Sequence, residues 1–236
     1  MNMNKENIIG FNENDTEFIS KFTPSIMFCF FEIINTRGVI YPFGKIPGRY
    51  NTLKISSSSD LSDLGNYNAE TNEIKINSSI DKETFVPTLI HEFVHFLTKN
   101  NTRLYTYSAI DELMTEDMTS LLLWKFRLER EYTTGYLGIE TDKKIMKLLK
   151  SKCDKKTLTQ AYIDQSDYSF EKVLGKEFLE KLQEYFDYAE NLPNKYNSID
   201  IKDRLETDLI FEKEKLDAMF SELEKCCVPN NGVSKR

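Results

Sequence analysis

The stretch TLIHEFVHFLTKN, Thr88 to Asn100, holds both histidines of this 236-residue chain, His91 and His95, with Glu92 directly after the first. Residues four apart lie on one face of a helix, one turn from each other, so two imidazoles at this spacing can grip one metal ion. Glu92 points about 100 degrees further round, off the ligand direction but within reach of a water beside the ion. Val86, Ile90, Phe93, Val94 and Leu97 form a neighbouring apolar stripe that can seat the helix in a core. The plainer alternative is a buried helix whose two histidines are satisfied by hydrogen bonds. Two histidines falling four apart with a glutamate between them favours the metal.

A catalytic zinc takes three protein ligands and leaves one position open. The chain has no third histidine, and its cysteines (Cys29, Cys153, Cys226 and Cys227) are remote from this stretch and show no CxxC spacing. The third ligand is therefore a carboxylate. Downstream, SAIDELMTEDMTSLLLWKF sets Ile110, Leu113, Met114, Met118, Leu121 and Leu122 on an apolar face, with Ser108 and Asp111 suited to cap the start. Glu112, Thr115, Glu116 and Thr119 share the polar face. That face suits a metal site, or else it is a solvated helix side.

The elements that must hold these residues are mostly helical. Helices are expected over about Pro24 to Asn35, Lys82 to Lys99, Ala109 to Glu131, Asp142 to Lys150, Tyr168 to Glu190 and Ile199 to Lys225. Pro24 is read as a first-turn proline and Glu190 to Ser198 as a polar turn. RYNTLKIS and NEIKIN read as short strands, with Ile74 and Ile76 facing one way. Glu73 to Asn77 is expected to form the open edge of the sheet.

Composition narrows the function classes. A net charge of −7, without a dense Lys/Arg cluster, argues against nucleic acid as a partner. The longest apolar run, IMFCFFEII, is far too short to cross a bilayer and carries Glu32, so no membrane partner is expected. The N-terminus lacks the pattern of a secretory signal and the cysteines lack a disulfide framework; the expected location is cytoplasmic.

In these motifs the chain resembles the zincin metallopeptidases, and specifically their gluzincin branch, in which HExxH is followed by a second helix bearing a glutamate and, four residues on, an acid. DELMTE fits that pattern as ExxTE, although Leu113 stands where a glycine often follows the glutamate and Glu116 where an aspartate is common. The resemblance covers about Gly65 to Tyr136. It implies a Zn2+ cofactor held by His91, His95 and Glu112, with Glu116 fixing a ligand histidine and Glu92 as general base. It also implies an edge strand in GNYNAETNEIKIN that borders the cleft and pairs with an extended substrate. Such enzymes further stabilise the oxyanion with a later histidine or tyrosine, and in EYTTGYLG this points to Tyr136 ahead of Tyr132.

The expected architecture is α+β and mostly helical. Residues 1–140 would form a zincin-like core with a small N-terminal sheet, an active-site helix and a ligand helix. Residues 141–227 would form a C-terminal helical subdomain and residues 228–236 a disordered tail. The expected function is zinc-dependent peptide hydrolysis, with a peptide or protein substrate. Two alternatives remain: a zinc-binding but non-hydrolytic protein acting through a partner, and a metal-free helical interaction module.

Overall fold

The computed structural model describes residues 2–42, 44, 46–99, 106–128, 139–197 and 206–226. Among them the chain is mostly helical with one small sheet. It divides into two compact units, one of Met1–Leu104, Met114–Thr133 and Tyr162–Gln165, the other of Tyr105–Leu113, Thr134–Ala161 and Ser166–Arg236.

The first unit opens with a 3-10 turn, Lys5–Asn7, the strand β1 (Ile8–Ile9) and the long helix α1 (Glu13–Thr36). α1 starts well before Pro24, which stands inside it rather than at its first turn. A proline within a helix deprives the carbonyl four residues back of its donor. Here that carbonyl belongs to Ser20, and the backbone N–H of Met3 supplies the missing bond at 3.1 Å, while Ser20 Oγ donates to the Met3 carbonyl at 2.7 Å. The helix therefore runs on. Ile19, Ile26, Phe30 and Ile34 line its buried side.

A short helix, α2 (Ile46–Thr52), replaces the first half of the strand expected in RYNTLKIS, because Ile46 and Tyr50 pack four apart on one buried face. Then come β2 (Lys54–Ser58), β3 (Gly65–Asn68) and β4 (Glu73–Asn77). The sheet order is β1-β2-β4-β3, parallel except for β3, which pairs antiparallel with β4. Ile74 and Ile76 are buried and Lys75 is exposed, as the alternation requires. The open edge is not where the sequence suggested. β4 is flanked by β2 and β3, and β3 is the edge strand among the described residues. GNYN lies in the segment where the resemblance implied an edge strand, but it carries no strand signal of its own because Gly and Asn are poor strand formers, and its pairing with Ile74 and Ile76 is what makes it one.

α3 (Lys82–Thr98) carries the histidine pair and packs against β3, β4 and α1. Its ends are held. Asp81 accepts from the Thr84 N–H at 2.7 Å, and this bond holds the Asp81 carboxyl below its ordinary range. At the other end Arg49 donates to the Phe96 carbonyl at 2.7 Å and Tyr41 OH donates to that of Leu97. Burial raises the Tyr41 phenol well above its usual range, so it stays a donor. Arg49 also donates to Tyr67 on β3 at 2.8 Å, which ties the edge strand to the end of α3.

α4 (Ser108–Lys125) begins in the second unit and continues into the first. In its first turn the N–H of Ala109 donates to Gln183 Oε1 at 3.0 Å. The second unit otherwise holds α5 (Ile139–Lys152), most of α6 (Lys155–Asp164), α7 (Asp167–Leu174), α8 (Lys176–Asn197) and α9 (Glu206–Cys226). The helix expected over Tyr168 to Glu190 is two, parted at Gly175 with φ +87°, a conformation closed to most other residues. α8 then carries through Pro193 to Asn197, where a turn was expected. No helix among the described residues is long and apolar enough to cross a membrane.

Candidate metal centre

From Thr88 to Thr98 every residue of α3 except His91 is buried, and this gives its polar residues their meaning. Glu92 is 7% exposed and His95 3%, with Thr88 and Thr98 also buried. A polar group without partners in such a place costs several times what a hydrogen bond returns, so each should be held by something.

The histidine rings meet edge to face, centroids 4.9 Å apart, with Nε2 of one 3.2 Å from Nε2 of the other. Their other nitrogens are turned outward to α4. Nδ1 of His91 lies 3.3 Å from Oε2 of Glu116, and Nδ1 of His95 lies 3.3 Å from Oγ1 of Thr115. A carboxylate only accepts, so His91 donates from Nδ1 and its Nε2 carries a lone pair. Glu112, on the same α4 face, brings a carboxylate oxygen into the same place. The ligand atoms of His91, His95 and Glu112 all lie within 4.8 Å of one another.

These residues fit a metal. Two nitrogens bound at about 2.0–2.1 Å to a tetrahedral ion stand about 3.3–3.4 Å apart, close to the spacing found here. Two imidazoles and one carboxylate also match the donor set of catalytic zinc sites with an open fourth position. Histidine ligands that donate their second nitrogen to a carboxylate or hydroxyl are likewise typical of metal centres.

Glu92 lies under the edge strand. A Cβ added at Gly65 would sit 2.9 Å from Glu92 Cγ, 3.1 Å from its Oε1 and 2.8 Å from Thr88 Cγ2. Only glycine lets β3 pass this close. The glutamate is thus pinned between its own helix and the backbone of β3.

Of the residues singled out in the sequence, His91, His95, Glu112 and Glu116 come together here, with Glu92 beside the pair on α3. Tyr132 and Tyr136 lie outside the described residues. Three contributors were not legible. Thr115 was on the right face but had no role, Gly65 was only the start of the resembling segment and had no role of its own, and Tyr162 lies 47 residues from its partner Thr115 with no pattern linking them. No family model matches the chain, and neither a curated protein nor a solved structure was found that resembles it.

Proposed function

We propose that the protein is a zinc-dependent metallopeptidase of gluzincin-like type, with His91, His95 and Glu112 as ligands and Glu92 as general base. The observation that carries this reading is the convergence of the two Nε2 atoms and the Glu112 carboxylate on one point, with a buried glutamate next along the helix. When bound, the ion supplies Lewis-acid polarisation of a substrate carbonyl and of water.

The chain's own residues supply the rest. Glu92 takes a proton as water attacks the carbonyl carbon and delivers it to the departing amine as the C–N bond breaks. Glu116 holds His91 by its Nδ1–H and fixes the ring's direction. The free edge of β3 offers backbone donors and acceptors to an extended peptide, which would bind as an added antiparallel or parallel strand. Gly65 brings that edge against Glu92, so a peptide held there lies near the base.

The test pairs metal analysis with an unbiased peptide library. About one zinc per chain and cleavage that is lost in Glu92→Gln support the reading. No zinc after reconstitution overturns it, and zinc without turnover selects the non-hydrolytic alternative.

A further inference from the structure

The end of α4 and the second half of α1 border an open cavity of about 450 Å³, lined by Cys29, Glu32, Trp124, Lys125 and Arg127. Clefts of roughly 300–1,000 Å³ are the size that receives small-molecule ligands. This one lies apart from the metal centre, since Trp124 stands eight residues beyond Glu116 on α4, about 12 Å along the axis. Its charges do not cancel. Lys125 Nζ is 2.7 Å from Glu32 Oε1, a pair that neutralises both groups and ties α4 to α1. Burial raises the Cys29 thiol above its ordinary range, so it stays protonated and uncharged. Arg127 has no ion-pair partner among the described residues, and it leaves the cavity with one uncompensated positive charge. Beside it is Trp124, the chain's sole tryptophan, 75% exposed. A cationic ligand would suit the indole face but would meet Arg127, and Glu32, the one acid among the described lining residues, is already paired. An anion with a flat apolar body suits both.

We infer that this cavity binds a small aromatic carboxylate, its ring laid on Trp124 and its carboxylate received by the Arg127 guanidinium. The planar fork of an arginine matches a carboxylate with two parallel hydrogen bonds, and a stacked ring takes the indole out of water. The site does not depend on the metal-centre reading. Its arginine also occupies an unusual backbone position, which separates a ligand-binding role from a structural one. Arg127 has φ +56° just past the end of α4, where its N–H donates to the Trp124 carbonyl at 3.0 Å and the Leu128 N–H donates to that of Leu123 at 3.0 Å. Glycine is the usual residue at this point of a helix-ending turn. The fold alone would gain from glycine there, whereas the ligand would lose its counter-charge.

The test titrates 1-naphthoate into the full chain and reads binding by calorimetry and by quenching of Trp124 emission, which no second tryptophan obscures. The neutral isostere 1-naphthamide should bind roughly tenfold or more weakly, because it cannot form the charge-assisted pair. Arg127→Gly should weaken 1-naphthoate by a similar factor while its melting temperature equals or exceeds that of the wild type. Arg127→Lys keeps the charge without the fork and should recover part of the affinity. Trp124→Ala, followed by calorimetry alone, should bind severalfold more weakly. Lys181→Ala removes a cation on α8 instead and should bind as the wild type does. Absence of both heat and quenching with 1-naphthoate overturns the proposal, as does equal binding of the amide. Wild-type affinity in Arg127→Gly overturns it too, and so does lost affinity accompanied by a lower melting temperature, which would make Arg127 a structural residue. Zinc content enters none of these readouts, so the metal-centre reading stands or falls separately.

Discussion

α3 and α8 are both long helices packed through aromatic and aliphatic side chains, yet they differ in what else they bury. α8 hides Phe178, Leu179, Leu182, Tyr185 and Phe186 and leaves its charges outside, in i,i+4 pairs such as Lys176–Glu180 and Lys181–Glu177 at 3.6 and 3.5 Å. α3 hides an equally apolar set and, among it, Thr88, Glu92, His95 and Thr98. Polar groups in that setting oppose folding unless others meet them. α8 is thus arranged for packing, whereas α3 buries polar groups as well and meets them from its own backbone and from Thr115 on α4.

The contrast can be broken at several points. The largest effect should come from Glu92→Gln, which keeps the shape but cannot take a proton. Peptide turnover should fall roughly a hundred- to ten-thousandfold with zinc content unchanged. Full activity in that variant would remove Glu92 from the chemistry. On α4, Glu112→Ala should strip the metal, while Glu116→Ala should weaken binding roughly 10–100-fold. Zinc titration checks both, and the opposite ranking would exchange their roles.

Substitutions in α8 sharpen the other side. Phe186→Ala should cost about 3–5 kcal/mol of stability in denaturant melts and leave zinc affinity per folded molecule untouched. Lys181→Ala should leave the melting midpoint close to wild type, since exposed ion pairs contribute little. At Gly65 the two kinds of effect meet. Gly65→Ala should lower turnover roughly tenfold or more by displacing Glu92, with zinc retained. An unaffected kcat would show that β3 can give way.

The smallest effect concerns the start of α3. The Thr84 N–H holds the Asp81 carboxyl below its ordinary range, so the cap's contribution is complete above the ordinary carboxylate pKa of about 3.9. It is lost as pH falls through the lower, folded value. The difference in melting temperature between wild type and Asp81→Ala should therefore be largest near neutrality and shrink in acid.

What the sequence made legible follows a physical division. The span of α3 was readable because the apolar stripe and the histidine spacing are local signals. The polar face of α4 was readable for the same reason. Features set by distant partners were hidden. Pro24 looked like a helix start because nothing in the sequence tells that Met3 will satisfy Ser20. β3 became a strand only through β4, so the sheet edge was assigned to the wrong segment. Gly175 was passed over inside an apolar period that fitted one continuous helix. Tyr162 is the extreme case, since the hydroxyls it meets, those of Thr98 and Thr115, lie 64 and 47 residues away in the sequence.

The junction of Met3 with Ser20 makes the middle of α1 depend on the third residue of the chain. During synthesis that docking partner emerges first, so the segment awaiting it never lacks its mate for long. In handling the protein the dependence runs the other way. A change that displaces Met3 acts on α1 at the turn where Pro24 has already removed a bond. The helix would then hinge at its centre rather than fray from its end.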